Sequence, residues 1–307
     1  MHIEYENVIY DCTDGIAILQ LYRPKALNAL SAEINRDIMA AIQEVLKDET
    51  ARVLIVAGTG KAFAAGADLK EMMEATPREA RDLCQLAKDI NELLENMTIP
   101  TMAVVGGYAF GGGFELALSC DFRLGGPRTL VSFPEASLGI IPGANGLARA
   151  CNIVGPAKAK ELAMFCNNLP GEQAYQLGLL NWFVKGDPEK EAAAAAAKKA
   201  YKEAKASGDE AAIEAAKKAS RDAEAAALQS ECDALMDKAK ALAKELTTKP
   251  ALALASVKKV VYDAANENSQ QAKLRETIEF SLLFDTHDQR EGMTAFSEGR
   301  KPEYIHK

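Results

Sequence analysis

Apolar and polar positions change their spacing repeatedly along the chain, from the alternation typical of strands to the spacing typical of amphipathic helices. Residues 8–22 predict two strands joined by a tight turn. Ser31 is expected to cap an amphipathic helix over residues 32–46. The apolar runs RVLIVAGTG and TMAVVGGYAF are each typical of one buried parallel strand. Strands that alternate with helices in this way predict a layered α/β fold.

The composition changes after Val184, because residues 188–230 consist mainly of Ala, Lys and Glu, which favour helices. The segment is interrupted at residues 207–209, where Gly208 suits a helix C-terminus and Asp209 suits a helix N-terminus. The pattern therefore predicts a helical hairpin, which we interpret mainly as a solvated appendage. A contact with another copy or with a partner protein is the alternative. The remaining C-terminal sequence is again helical in pattern.

The overall composition narrows the classes of function. The chain has 307 residues, of which 48% are hydrophobic and 26% charged, as in an ordinary globular protein. A net charge of -8 argues against nucleic acid as a partner. The six cysteines are scattered without CxxC spacing, which indicates a reducing, cytoplasmic setting. We expect no membrane contact, since neither a signal sequence nor an apolar run of about 20 residues is visible.

Several common catalytic motifs are excluded. The three histidines, His2, His287 and His306, lie near the chain ends, which argues against a Ser-His-Asp triad and against a His-rich metal site. Acid–base chemistry is therefore expected from carboxylates, lysine, tyrosine or cysteine. The segment AGTGKAF is not a phosphate-binding loop, because Ile55 stands at its first glycine position and Ala62 at its Ser/Thr position.

Two loops of small residues each follow a buried strand and lead into a helix: AAGAD at residues 64–68 and FGGG at residues 110–113. Such loops leave backbone N–H groups at a helix N-terminus accessible, and the helix dipole adds partial positive charge. Two of them facing each other would form an oxyanion hole for an oxygen that gains negative charge. Glu115 would then place a carboxylate just inside the second helix. The alternative is that the glycines only allow close packing of strand and helix.

Three sequence blocks carry a resemblance to a known family: GTGKAFAAGADLKEM, AVVGGYAFGGGFELALSCDFRL and FPEASLGIIPGANG. Together with the C-terminal DQREGMTAFSEGRKPEY, they resemble the enoyl-CoA hydratase/isomerase (crotonase) superfamily over residues 5–186 and 231–305. The resemblance implies a crotonase-like ββα spiral core at residues 1–186 and a C-terminal helical trimerisation region at residues 231–307. The helical hairpin at residues 187–230 would then be an insertion, because it has no counterpart in the usual family pattern.

The resemblance also implies roles for individual residues. The backbone N–H groups of Ala67 and Gly112 would form the oxyanion hole for the thioester carbonyl of an acyl-CoA. Glu115 and Glu135 match the two hydratase carboxylates. Glu115 would help to activate a water molecule for attack at the β carbon, and Glu135 would exchange a proton at the α carbon. A pair of carboxylates suits addition of water, because one can take a proton while the other gives one.

Further residues are implied in binding coenzyme A, which is part of the substrate, so that no separate cofactor is expected. The segment RPKALNAL resembles the loop that lines the adenine and phosphates, and four other residues adjoin the pantetheine path, with Gly111 as a further candidate. The complete set of these candidates is Lys25, Ala26, Leu27, Ala65, Asp68, Leu69, Lys70 and Gly111. The family also implies a homotrimer or a homohexamer, a dimer of trimers.

The function expected from the two carboxylates is that of an enoyl-CoA hydratase. A Δ3-Δ2 enoyl-CoA isomerase or an acyl-CoA hydrolase on the same scaffold is the alternative, as is a non-catalytic acyl-CoA-binding module. Three departures from the family blocks are expected to touch the acyl pocket and so to affect the length and shape of the acyl group: Phe114, Phe133 and the NGLAR segment at residues 145–149. A bulky Phe would either exclude long chains or shape a site for a branched or cyclic acyl group.

Overall fold

The computed structural model describes residues 1–266 and 269–307. Within these residues, the strands form a seven-stranded sheet in the spatial order β1-β2-β3-β4-β6-β8-β11 and a four-stranded sheet in the order β10-β9-β7-β5. The strands are β1 (His2–Glu4), β2 (Val8–Thr13), β3 (Ile16–Leu21), β4 (Val53–Gly58), β5 (Ala62–Ala64), β6 (Thr101–Val105), β7 (Tyr108–Phe110), β8 (Phe122–Gly125), β9 (Leu130–Ser132), β10 (Leu169–Pro170) and β11 (Trp182–Phe183).

Helices cover both sheets and make up most of the C-terminal part. They are α1 (Ala32–Lys47), α2 (Leu69–Met73), α3 (Pro77–Asn96), α4 (Gly112–Ser119), α5 (Gly146–Phe165), α6 (Gly171–Gln176), α7 (Pro188–Ser207), α8 (Glu210–Thr247), α9 (Ala251–Asn266), α10 (Ser269–Leu283) and α11 (His287–Glu298). Short 3-10 turns lie at Pro24–Ala26 and Glu135–Leu138. No helix among the described residues combines the length and apolar character that a membrane crossing requires.

The sheet pairing confirms the α/β layered fold. Strands β1 to β3 pair antiparallel, whereas β3, β4, β6, β8 and β11 pair parallel. Ser31 caps α1 as predicted, since its side chain accepts a hydrogen bond from the amide of Ile34.

Both faces of the central strands are covered, which explains their apolar runs. Leu54 and Val56 of β4 belong to the main core beneath α1, α3 and α4. Val53 and Ile55 point to the opposite face, where they join a second apolar cluster that includes Leu235 of α8. Because neighbouring residues of a strand face opposite sides, a strand covered on both sides loses its polar alternation.

The prediction that residues 101–110 form one strand is wrong. The run is divided between β6 in the large sheet and β7 in the small sheet. The chain turns at Gly107, whose φ is +74° and where a Cβ atom would collide with the carbonyl of Lys61. Glycine allows this backbone conformation and this close approach, so the strand ends where the glycine pair begins.

The helical hairpin consists of α7 and α8. Gly208 ends α7 in the left-handed region, and the Asp209 carboxylate accepts hydrogen bonds from the amides of Ala211 and Ala212 at the start of α8, as predicted. Helix α8 continues without interruption to Thr247. The boundary predicted after residue 230 therefore lies inside a helix, and the division into domains stays a prediction.

The base of the hairpin is attached to the core through Arg128, which lies between β8 and β9. Its guanidinium contacts Glu191 of α7 and, through Nε at 2.8 Å, Glu224 of α8. The carboxylate of Glu231 is fully buried and accepts the backbone N–H of Arg128 at 3.0 Å. The same guanidinium lies 3.3 Å from Glu231, so a partly buried cation shared among three carboxylates fixes the position of the hairpin relative to the core.

We expect the substitution Glu231→Ala to lower the free energy of unfolding by about 2–4 kcal/mol, because it leaves the partly buried N–H and guanidinium of Arg128 without one acceptor. Urea unfolding followed by circular dichroism measures this. The matched control is Glu214→Ala, which removes an exposed carboxylate of the same hairpin at 3.2 Å from Lys217 and should change the value by less than about 0.5 kcal/mol. Equal effects of the two variants would contradict the attachment.

Candidate active site

A cavity of about 200 Å³ lies between the two loops of small residues. Its floor includes Ala67 and Gly112, and the side chains of Glu115 and Glu135 also line it. The structure therefore brings together all four residues that the sequence marks as catalytic candidates. They come from separate parts of the chain, namely the segment before α2, the first turn of α4 and the 3-10 turn at Glu135–Leu138.

The amides of Ala67 and Gly112 are available to a ligand. Leu30 donates its N–H to the Gly66 carbonyl at 2.8 Å and accepts the Asp68 N–H at 3.2 Å. The Gly66 carbonyl and the Asp68 N–H, on either side of Ala67, therefore both face Leu30. Because successive backbone groups of an extended segment face opposite sides, the Ala67 N–H points away from Leu30. Gly112 is the first residue of α4 and has no intrahelical acceptor for its N–H. Within the described part of the chain, neither amide donates to a protein acceptor.

The two amides also lie close to each other, since a Cβ atom built on Gly112 would be 3.8 Å from the Ala67 nitrogen. Their neighbours explain the rest of the glycine triplet. Gly111 has a φ of +48°, and a Cβ there would collide with a carboxylate oxygen of Glu135. A Cβ on Gly113 would collide with the carbonyl of Ala64. Gly113 thus serves the strand–helix packing, whereas Gly111 leaves space for a site carboxylate.

The Glu115 carboxylate is held in place by backbone donors. The side chain is only 3% exposed, and its Oε1 accepts the amides of Ala144 and Gly146, both at 2.8 Å. Gly146 is required here, because a Cβ would collide with the Glu115 side chain. Burial raises the pKa of Glu115, while the amides and the nearby Arg149 oppose this shift by favouring the charged form.

The Glu135 carboxylate has a different environment. Its Oε2 is buried without a hydrogen-bond partner among the described residues. Burial raises its pKa to about 7, and the negative charge of Glu115 adds to this shift. A buried carboxylate without a protein partner beside a cavity is typical of a functional site, because the burial is otherwise unfavourable.

Comparisons with known proteins identify the family of the chain. The family model described as enoyl-CoA hydratase/isomerase matches residues 11–234 and 227–307. The chain belongs to the enoyl-CoA hydratase/isomerase family. It is 32% identical to the crotonyl-CoA hydratase of Syntrophomonas wolfei over 304 residues, which cover 99% of each chain. It is 30% identical to the short-chain-enoyl-CoA hydratase of Clostridium acetobutylicum, with 98% of each chain covered.

Solved structures of the family have the same architecture. The crystal structure of enoyl-CoA hydratase subunit I from Geobacillus kaustophilus HTA426 superimposes with a TM-score of 0.80 at 31% identity, covering 99% of this chain and 100% of that one. The enoyl-CoA hydratase of Mycobacterium tuberculosis H37Rv superimposes with a TM-score of 0.75 at 27% identity, covering 99% and 100%. The crotonase-type fold of the chain is therefore confirmed.

The residues implied in coenzyme A binding are placed in two groups. Ala65, Asp68, Leu69 and Gly111 line the cavity. The Asp68 carboxylate is already used within the protein, since it accepts from Arg23 at 2.9 Å and from the backbone of α2.

The second group lies outside the cavity lining. Lys25 and Ala26 belong to the 3-10 turn at Pro24–Ala26, followed by Leu27 with φ +53°. The Leu27 carbonyl accepts the Ala65 amide at 3.0 Å, which joins this turn to the first loop. Lys70 is the second residue of α2.

The prediction that Phe114 and Phe133 shape the acyl pocket is wrong. The two rings pack against each other at 4.9 Å between centroids and are buried in the core, outside the cavity lining. Consecutive residues of a helix point about 100° apart, so a Glu115 that faces the cavity directs Phe114 into the core. The apolar wall instead comes from α2, α3 and residues 138–141. It includes Met72, Leu83, Cys84, Leu138, Ile140 and Ile141.

The NGLAR segment does reach the site, although not through the acyl pocket: Gly146 binds Glu115, and Arg149 lies behind it. Sequence reasoning missed Ala144 and Arg149 because their contacts with the site are set by tertiary packing. Across residues 1–266 and 269–307, no cluster of three or more metal-binding side chains is placed to hold a metal ion.

We expect Glu135→Gln to stabilise the protein at high pH. The pKa of Glu135 is raised to about 7 from 4.5, so ionisation opposes folding from about pH 4.5 upward, with the full effect above about pH 7. Thermal unfolding should show Glu135→Gln more stable than the wild type by about 1–3 kcal/mol at pH 8.5 and about equal at pH 4. Glu276→Gln, on the exposed surface of α10, is the control and should leave the pH dependence unchanged. A Glu135→Gln variant that is less stable than the wild type at pH 8.5 would contradict this assignment.

Proposed function

We propose that this protein is an enoyl-CoA hydratase, which adds water reversibly to a trans-2-enoyl-CoA and produces a 3-hydroxyacyl-CoA. The observation that carries the proposal is a cavity lined both by two unpartnered amides and by two buried carboxylates. Backbone donors hold the Glu115 carboxylate, and Oε2 of Glu135 has no hydrogen-bond partner among the described residues. The family membership and the hydratase relatives support the same activity.

The thioester carbonyl would bind between the amides of Ala67 and Gly112. Both donors are fixed by their loops before the substrate arrives, so no reorganisation is needed when the oxygen gains charge. Withdrawal of electron density through this oxygen makes the β carbon electrophilic and stabilises the enolate that forms upon attack. This is the largest contribution that the backbone can make to the reaction.

The two carboxylates then divide the proton transfers. Glu115, which the amides of Ala144 and Gly146 hold toward the charged form, takes a proton from water while the water oxygen bonds to the β carbon. The electron pair of the double bond moves toward the thioester. Glu135, whose pKa near 7 keeps a protonated fraction available, gives its proton to the α carbon. Proton exchange between the two groups and solvent restores the starting state.

A short acyl group fits the site best. The cavity of about 200 Å³ is smaller than the pockets of about 300–1,000 Å³ that hold larger ligands. The coenzyme A portion would leave the cavity past Ala65, Leu69 and Gly111. The turn with Lys25, Ala26 and Leu27 would contact the adenine and phosphates, with Lys70 nearby, and a lysine suits an anionic phosphate in an acidic protein.

We also propose a homotrimer or a dimer of trimers in a reducing, cytoplasmic setting. The last helices expose apolar side chains that a neighbouring copy would cover, and Phe296 is 90% exposed in the single chain. Other exposed apolar residues of these helices are Leu252, Val257, Val261, Leu274, Ile278, Phe280, Leu282 and Met293.

All six cysteines are free thiols, which supports the proposed reducing, cytoplasmic setting, where disulfides do not form.

The test is hydration of crotonyl-CoA, followed by the loss of the ultraviolet absorbance of its conjugated thioester. We expect turnover by the wild type and a loss of about 10²–10⁴-fold for Glu115→Gln and for Glu135→Gln, since each removes a proton-transfer group. Glu172→Gln, with an exposed carboxylate on α6, is the control and should keep the full rate.

Parallel assays separate the alternatives. Release of free thiol would indicate a hydrolase, and conversion of a 3-enoyl-CoA without hydration would indicate an isomerase. Either result, or full activity of both glutamine variants, would overturn the proposed hydration mechanism.

A further inference from the structure

The turn that holds Glu115 contains three successive peptide groups with different hydrogen-bond partners. The first supplies the N–H of Ala144 and the third supplies the N–H of Gly146, and both donate to Glu115 Oε1. The middle peptide, between Ala144 and Asn145, points its carbonyl away from the carboxylate. Asn145 takes a φ of +67° here, immediately before α5.

The middle carbonyl is held by two buried side chains. Arg149 donates from Nη1 to the Ala144 oxygen at 2.9 Å, and Asn91 donates from Nδ2 to the same oxygen at 3.1 Å. Arg149 is in turn fixed by a bidentate pair with Glu95 of α3, at 3.0 Å from Nε and 2.6 Å from Nη2. Such forked pairs fix the orientation of the guanidinium plane as well as its position.

Arg149 is only 8% exposed and does not line the cavity, so it has no direct contact with a substrate bound there. Its influence on the site passes through the turn. When the middle peptide is held, the two outer N–H groups remain directed at one oxygen of Glu115. Release of the middle peptide would allow the turn to rotate and would remove these donors together.

We propose that Arg149 is a positioning residue for Glu115, which fixes the turn whose amides orient this carboxylate for catalysis. The proposal rests on the proposed hydratase function, because it concerns the orientation of the group that activates water.

Arg149 also acts on Glu115 by charge. The charged and titratable groups around Glu115 are Arg149 of α5, Glu95 and Cys84 of α3, and Glu135 of the 3-10 turn. Arg149 is the cation of this set and favours the ionised form of Glu115. Its replacement by a neutral residue would remove this cation and leave Glu95 without its partner, so the pKa of Glu115 would rise.

The test compares Arg149→Met and Arg149→Lys with the same substitutions at Arg123. Arg123 is a matched control because it is similarly buried and its guanidinium also donates to the backbone, at the carbonyls of Leu179 and Cys120, away from the cavity. We expect Arg149→Met to lower kcat for crotonyl-CoA by about 10–100-fold, the loss typical of hydrogen bonds from a charged group, with KM changed less than about threefold.

The pH profile distinguishes positioning from general loss of structure. In Arg149→Met, the acidic limb of kcat/KM should move to higher pH, because a larger fraction of Glu115 is protonated at a given pH. Arg149→Lys keeps the positive charge but cannot form the bidentate pair with Glu95. It should therefore lower kcat while the acidic limb of the pH profile stays near its wild-type position. The Arg123 variants should lower thermal stability without moving the limb. If Arg149→Met does not fold, the kcat and pH profile of Arg149→Lys still decide the matter.

Two results would overturn the proposal while leaving hydration itself intact. One is an Arg149 variant that retains at least half of the wild-type kcat with an unchanged pH profile. The other is an Arg123 variant that reproduces both the loss of kcat and the moved limb. Absence of hydration by the wild-type protein would instead contradict the proposed function, so the two failures are distinguishable.

Discussion

The site depends on one constraint, which is that two main-chain N–H groups remain without protein acceptors at the edge of a packed core. Buried amides are almost always paired. The backbone groups next to the Ala67 amide follow this rule, because Leu30 forms hydrogen bonds with the Gly66 carbonyl and with the Asp68 N–H. Gly112 can stay open because it begins a helix. The glycine triplet permits the close approach of strand, helix and carboxylate that brings these amides to one cavity.

The carboxylates add a second, opposing requirement. Burial makes each of them harder to ionise, but their surroundings differ. Glu115 accepts two amides, whereas Oε2 of Glu135 has no hydrogen-bond partner in the described part of the chain. The difference separates a group directed toward the charged form from one that remains partly protonated near neutral pH. In the proposed mechanism, the difference between the two groups arises from backbone placement more than from residue type, and the buried Glu135 carboxylate is a local loss of stability at the proposed site.

The sequence predicted those features that depend on a few neighbouring residues, such as helix ends and loops of small residues. The caps at Ser31, Gly208 and Asp209 follow from their own side chains or conformations, and the two loops follow from runs of small residues. The division of residues 101–110 between two sheets was not predictable, because a glycine pair inside an apolar run does not reveal the direction of the following strand. The apolar wall of the cavity depends on tertiary packing, and so does the hydrogen bond from Arg149 to the Ala144 carbonyl in the turn that holds Glu115. The spacing of residues along the sequence does not reveal such contacts. The position of Phe114 in the core was not predictable for a related reason. The contacts of Glu115 set the rotation of α4 about its axis, and this rotation directs Phe114 away from the cavity.

The most direct measurement of the central claim is the stretching frequency of the thioester carbonyl in a bound acyl-CoA. A ¹³C-labelled analogue that cannot be hydrated would be compared free and bound by isotope-edited infrared or Raman difference spectroscopy. If the amides of Ala67 and Gly112 polarise the carbonyl, the C=O bond weakens and its band shifts to lower frequency on binding. A bound carbonyl band at the frequency found in water, in a protein that still hydrates crotonyl-CoA, would contradict the account.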